Sequence, residues 1–214
     1  MDSLNTIFVR HGADKQEAAH GYAKHYEPLF EPWRKEPIVL LEIGVWRGAS
    51  MASWLEYFED ARVIGLDCDS GCWKTDNPRY TWFFGDQCNE SFLFDVCETL
   101  PRLDVVIDDG CHQPHAQAKS FQCLWPKLSP GGIYCIEDIH PWFDPKHNAV
   151  YHDGAQHLLW HLANSVNWSG CRYPGRPFED EAPTGYDQGF ESIFMAKGLL
   201  IIRKAGLHFS QTRE

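Results

Sequence analysis

Residues 37–67 read PIVLLEIGVWRGASMASWLEYFEDARVIGLD, and the order of their patterns decides the architecture. PIVLLEIG (37–44) is a strand-like apolar run, SMASWLEYF (50–58) has helical spacing, and RVIGLD (62–67) is a second apolar run ending on an acid. A strand, a glycine-marked turn, a helix and another strand make a βαβ unit, whose strands lie parallel through a right-handed crossover. The alternation continues outward. YTWFFGD (80–86) is a third strand, SFLFDVCETL (91–100) a helix and RLDVVIDD (102–109) a fourth strand. AQAKSFQCLWPKL (116–128) has helical spacing with Pro126 near its end, and GGIYCIED (131–138) is a fifth strand introduced by Ser-Pro-Gly-Gly. GAQHLLWHLANSVNW (154–168) reads as an amphipathic helix, and FESIFMAKGLLIIRK (190–204) as two strands turning at Lys197-Gly198. Apolar strands between helices predict a parallel sheet covered on both faces, with ligands gathered at the carboxyl ends of the strands. The tight final turn obliges the last strand to enter antiparallel. The expectation is an α/β, Rossmann-like fold with a seven-stranded, mostly parallel sheet and an antiparallel last strand. It forms one domain over 1–214, with residues 1–36 as an N-terminal helical cap. The Gly-, Pro- and acid-rich stretch 169–189 is expected to be a mobile insertion.

Composition narrows the partners. Nineteen basic against thirty acidic residues give a formal net charge of -11, and no Lys/Arg cluster offsets it, so nucleic acid is excluded as a first partner. The apolar runs are far short of a membrane span, and the first residues, MDSLNTIFVRHGADK, lack the basic and then apolar order of a secretory signal. A soluble, cytoplasmic chain without a membrane partner is expected. The eight cysteines contain no CxxC pair, and in such a compartment they are expected as reduced, packed thiols.

The strand ends carry the chemistry. LEIGVWRGAS (41–50) offers Glu42, Gly44 and Gly48, a glycine turn before a helix that lets backbone approach a ligand. It lacks the G-x-G-x-x-G order of a dinucleotide site, and Glu42 suits a cationic ligand head better than a pyrophosphate. Asp67 ends the second strand about twenty residues past the glycine turn, placed to accept both hydroxyls of a ribose, and Asp86 after the third could accept from an exocyclic amine. Together these describe an adenosine-bearing, non-phosphorylated cofactor, of which S-adenosylmethionine is the common one. Strand four ends Asp108-Asp109-Gly110-Cys111-His112 and strand five ends Glu137-Asp138. Neighbouring parallel strands bring these carboxylates together, and their mutual repulsion calls for a hard divalent cation, Mg2+ before zinc. Asp109, Glu137 and Asp138 form the expected ligand set, with Asp108 as a spare or a cofactor contact. His112, three residues past Asp109, is placed to take a proton from a metal-bound alcohol as general base.

These residues resemble the S-adenosylmethionine- and Mg2+-dependent sugar O-methyltransferases that methylate deoxysugars on macrolides and other natural products. The resemblance runs from HGADK (11–15) and HGY (20–22) through LLEIGVWRGAS, GLD (65–67), GDQ (85–87), IDDGCH (107–112) and LSPGGIYCIED (128–138) to the closing strand pair. It implies a class I methyltransferase fold, metal ligation by Asp109, Glu137 and Asp138, and His112 as general base. It also implies a cofactor site lined by Glu42, Gly44, Asp67, Asp86 and Gln87, with Asp14, Lys15 and Tyr22 closing over cofactor or substrate, and a homo-oligomer, a dimer. Macrolide-modifying members often carry an additional N-terminal domain not present in this sequence, which implies a small sugar or oligosaccharide substrate, of the actinobacterial methylmannose kind.

Two other functions stay open. A catechol or phenol O-methyltransferase shares the metal arrangement, but its acidic substrate needs no base at His112. A catalytically silent module would bind the cofactor without transferring a methyl group. The pair His157 and His161 has zinc-helix spacing without the accompanying glutamate, and with the other histidines of 140–161 is expected to line a polar mouth or surface.

Overall fold

In the computed structural model, described over residues 1–143, Leu158, Leu162 and 189–206, seven strands form one sheet in the order β3-β2-β1-β4-β5-β7-β6. β1 (Val39–Ile43), β2 (Arg62–Asp67), β3 (Tyr80–Phe84), β4 (Leu103–Asp108) and β5 (Leu128–Glu137) pair in parallel. β7 (Leu199–Lys204) lies antiparallel between β5 and β6 (Phe190–Ala196). The hairpin turns at Lys197-Gly198, where Gly198 takes a φ of 75°, a conformation that favours glycine. This is the class I methyltransferase fold expected from the sequence. Apart from Leu158 and Leu162, which are helical and buried, the helix expected over 154–168 lies outside the described residues, as do residues 169–188 of the expected insertion and all but His140 of the histidines at 140–161.

Helices α1 (Leu4–His11) and α2 (Ala23–Phe30) precede the sheet, α3 (Ala49–Tyr57) follows β1, α4 (Glu90–Thr99) follows β3, and α5 (Pro114–Leu124) follows β4. Local chemistry explains their ends. Ser3 and Asn89 cap α1 and α4 by accepting from the backbone N–H groups of Thr6 and Phe92, and α1 stops at Gly12 in the left-handed region. The helical pattern 116–128 divides: α5 ends at Leu124 and a 3-10 turn takes Trp125–Lys127, because Pro126 has no N–H to continue the helix. β5 begins before the expected Gly131, at Leu128. Between the pairs Leu103–Leu128 and Val105–Ile133, one residue of β4, Asp104, stands opposite four of β5, so Ser-Pro-Gly-Gly is a bulge inside the strand rather than its prelude.

Strand pleat divides the core. On one face Leu40, Val105, Ile107, Ile133 and Cys135 pack under α1, α2 and α3, with Phe8, Tyr26, Phe30, Trp54 and Phe58. On the other, Leu41, Ile43, Val106, Tyr134 and Ile136 pack under α4 and α5, with Leu93, Val96, Phe121 and Leu124. Burying each of these large side chains contributes roughly 2–3 kcal/mol. The same parity sorts the acids. Glu42 and Glu137 share the face of the N-terminal helices, whereas Asp108 shares the α4/α5 face. Among the described residues seven cysteines are free, and Cys72, Cys97, Cys123 and Cys135 are buried among apolar side chains. Among the described residues, no helix is long and apolar enough to cross a membrane.

Candidate active site

The carboxyl ends of β1, β4 and β5 lie side by side, with Ile43 paired to Asp108 and Asp108 to Ile136. Continuing that register by one residue brings Asp109 beside Glu137. The Asp109 N–H donates to the Ile43 carbonyl at 3.0 Å and the Gly44 N–H to the Leu66 carbonyl at 2.8 Å, tying the loops together. Gly44 has a φ of 94°, and a Cβ there would strike the Asp109 carbonyl, so glycine is required by the approach of one loop to the other.

Into this convergence comes Lys15, 1% exposed. Its Nζ lies 2.5 Å from Asp109 Oδ2, 2.9 Å from Glu137 Oε2 and 3.5 Å from Glu42 Oε1. Burial opposes its charge, but the carboxylates of Asp109, Glu137 and Glu42 outweigh it and hold the ammonium well above its ordinary pKa. Two tyrosines one helical turn apart complete the contact. Tyr26 donates to Glu137 Oε1 at 2.7 Å, and Tyr22 to Asp138 Oδ1 at 2.7 Å and the Gly198 carbonyl at 3.1 Å. Burial and the Asp138 carboxylate push the Tyr22 hydroxyl up, and burial raises Glu137 far above the carboxylate range despite Lys15.

Asp109, His112 and Asp138 each offer a ligand atom, and the three atoms lie within 4.8 Å of one another. His112 Nε2 is 3.8 Å from Asp138 Oδ2, while its Nδ1 is buried with no hydrogen-bond partner among the described residues. His20 Nδ1 approaches Asp138 Oδ1 from the other side at 3.5 Å. Asp138 has a φ of 52° and Trp46 one of 45°, the two described non-glycine residues in the left-handed region. Both sit just past the carboxyl end of a strand, where backbone strain accompanies function. Gln117 steadies the loop after β5: its Nε2 donates to the Glu137 carbonyl at 2.7 Å, and its Oε1 accepts from Trp142 Nε1 at 2.7 Å.

Several residues expected at the cofactor site have partners within the chain. Glu42, completely buried, accepts from Ser50 Oγ at 2.7 Å and from Trp54 Nε1. The cation it faces within the chain is Lys15. Burial pushes its carboxyl up to about 7, against the lowering pull of Lys15. Gly48 caps α3 with a φ of 75°, and a Cβ there would enter the Trp73 ring, so that side is filled by protein. Gln87 Nε2 donates to Asp108 Oδ1 at 3.1 Å and Ser120 Oγ at 2.9 Å, and Gln87 Oε1 accepts from the Cys111 N–H at 2.5 Å. Asp108 is fully buried, which pushes its carboxyl up to about 7 against the Gln87 hydrogen bond. Gln87 and Asp108 therefore brace the loop that carries Asp109 and His112. Asp67, Asp86 and Asp14 do reach the surface of this edge. Asp67 Oδ2 accepts from the Val45 and Trp46 N–H groups at 2.8 and 2.9 Å, and Trp46 is 68% exposed. Asp86 accepts from the Cys88 N–H at 2.8 Å, and Asp14 lies 3.8 Å from His20.

Ser50, Trp54 and Tyr26 have no expected role in the sequence reading. Their signal was present as two pairs at helical i, i+4 spacing, Ser50 with Trp54 and Tyr22 with Tyr26, each turning one helix face toward buried acids.

Residues 41–139 match the family Methyltransf_24, described as a methyltransferase domain. An 8-demethyl-8-alpha-L-rhamnosyl tetracenomycin-C 2'-O-methyltransferase of Streptomyces olivaceus is 30% identical over 212 residues, 95% of this chain and 55% of that protein. Demethylmacrocin O-methyltransferase of Streptomyces fradiae is 32% identical over 143 residues, 64% of this chain and 36% of that enzyme. The crystal structure of MycE methyltransferase from the mycinamycin biosynthetic pathway, in complex with Mg and SAH, superposes with a TM-score of 0.81 at 25% identity, over 100% of this chain and 58% of that one. The chain thus spans 55% of the first of these relatives and 36% of the second.

Proposed function

On a chain that carries a methyltransferase domain of the class I fold, we propose an S-adenosylmethionine-dependent O-methyltransferase that acts, with Mg2+, on a hydroxyl of a sugar or oligosaccharide. The observation that carries this reading is the gathering of the Asp109, His112 and Asp138 ligand atoms within 4.8 Å at the carboxyl ends of β4 and β5. Its relatives named as methylating rhamnosyl and macrolide sugars support the substrate class. When bound, S-adenosylmethionine supplies the methyl group and Mg2+ the charge that stabilises a developing alkoxide.

The donor set suits such an ion. Asp109 and Asp138 offer hard oxygens, and Glu137, on the adjoining strand, joins them once it turns from Lys15 and Tyr26. Asp67 accepts the ribose hydroxyls and Asp86 the adenine amine, beside the exposed Trp46. Gly44 and Gly48 shape the loop between them, while Glu42, Gln87 and Asp108 hold the site from inside. His112 takes the proton of the attacking hydroxyl, oriented by Asp138 on the same rim. Asp14 and Tyr22, from the N-terminal helical segment, border the mouth.

Incubation with labelled S-adenosylmethionine, Mg2+ and a panel of glycosides, oligosaccharides and catechols tests the reading. Label should enter a sugar, stop with a chelator and resume with Mg2+. The His112→Ala variant should keep cofactor binding and lose turnover by roughly a hundredfold or more. Full activity in excess chelator removes the metal, and an undiminished His112→Ala variant acting on catechols replaces the sugar with a phenol.

A further inference from the structure

Every carboxylate proposed to hold the cation is already engaged, and by one short stretch of chain. Lys15 contacts Asp109 and Glu137, Tyr26 donates to Glu137, and Tyr22 donates to Asp138. These three residues lie within twelve positions of one another, on α2 and the loop before it. That loop is closed on itself: the Ala13 N–H donates to the Phe8 carbonyl, the His20 N–H to that of Asp14, and the Ala23 N–H to that of Lys15, each at 2.9 Å. Lys15 is 1% exposed, so its side chain leaves the site only if the segment packed around it opens.

We infer that Lys15 is the built-in counter-cation of this site, and that a divalent cation competes with it for Asp109 and Glu137. The inference rests on the metal reading above. Three buried or half-buried carboxylates need positive charge in either state, and Lys15, 1% exposed, supplies it from within the chain. An ion held by Asp109 and Asp138 would sit only a few ångströms from the ammonium, and the two like charges would repel. The ion and Lys15 compete for the same Glu137 carboxylate. Entry of the cation therefore displaces Lys15, and with it the turn around residues 13–23, so that loading of the site and movement of the N-terminal segment are one event. The N-terminal segment is thus a device that offsets part of the negative charge of the unloaded site.

Calorimetric titration of Mg2+ or Mn2+ into the metal-stripped protein, without cofactor, tests this on the wild type and the Lys15→Met variant. Removal of the competing charge should tighten cation binding by about tenfold or more. Equal or weaker binding by Lys15→Met, with the wild type still taking up the ion, overturns the competition and leaves the metal reading intact. Cation uptake by neither protein removes both. If Lys15→Met fails to fold, the wild type decides by hydrogen exchange: amides of residues 13–23, above all the Ala23 N–H, should exchange faster when the cation is added. Unchanged or slower exchange overturns the inference.

Discussion

Replacing Glu42 by glutamine separates the charge of that residue from its shape. Glu42 is fully buried, and its folded-state carboxyl is pushed from 4.5 to about 7, chiefly by burial. Glutamine keeps both hydrogen bonds: its amide oxygen accepts from Trp54 Nε1 and its NH2 group donates to Ser50 Oγ. What it loses is the ionisation. A carboxyl whose folded pKa is raised binds its proton more tightly in the native state. It costs nothing below the unfolded value of 4.5, costs increasingly as pH rises from there, and reaches a constant penalty above about 7. A shift of about 2.5 units corresponds to about 3.4 kcal/mol, of which about 2.5 kcal/mol develops between about pH 5 and about pH 8. Glu42→Gln should therefore gain about 2.5 kcal/mol over the wild type as pH rises across that window, or about 5–10 °C in Tm. Urea unfolding of both proteins in a chelator at several pH values, followed by tryptophan fluorescence, measures the difference directly. A difference that is flat from about pH 5 to about pH 8 would refute the reasoning, because it would mean that Glu42 ionises in the folded state as it does in the unfolded one.

Two further substitutions test the packing that aims the site. Gly44→Ala forces a side chain into the Asp109 carbonyl at a φ of 94°, so it should cost about 3 kcal/mol or more and lower the denaturation midpoint; an unchanged midpoint would show that the two loops are free to part. Gln87→Leu leaves the Cys111 N–H and the Asp108 carboxyl without their partner, an expected loss of about 2–4 kcal/mol in urea unfolding, and it should also reduce turnover because the Asp109–His112 loop is no longer braced. Full stability in that variant would mean the loop is held from elsewhere.

Much of the fold was legible because burial on both faces writes itself into sequence as apolar runs, and crossovers as helical spacing between them. The run VLLEI at 39–43 and the acids after β2, β4 and β5 could be found without coordinates, as could the antiparallel final hairpin from its single glycine turn. Boundaries were less legible where two signals compete. Ser-Pro-Gly-Gly looks like a turn, yet it lies within β5 because flanking strand pairs hold it as a bulge. Pro126 shortens a helix whose apolar spacing carries on past it.

The sequence alone placed Asp109, Glu137 and Asp138 at neighbouring strand ends, because strand order and pleat are local consequences of patterning; in the structure Asp109 and Asp138 gather with His112, while Glu137 faces Lys15 and Tyr26. The sequence could not determine what faces them. Glu42, Asp108 and Gln87 carry the residue types of ligand contacts, but only packing shows that they are enclosed by Ser50, Trp54 and Ser120. Lys15 lies 122 positions from Glu137 along the chain, and no spacing rule connects them. Their meeting depends on α1 and α2 packing over the sheet, a long-range arrangement set by the shared apolar core of Phe8, Tyr26, Phe30 and Trp54 rather than by any motif around the charges themselves.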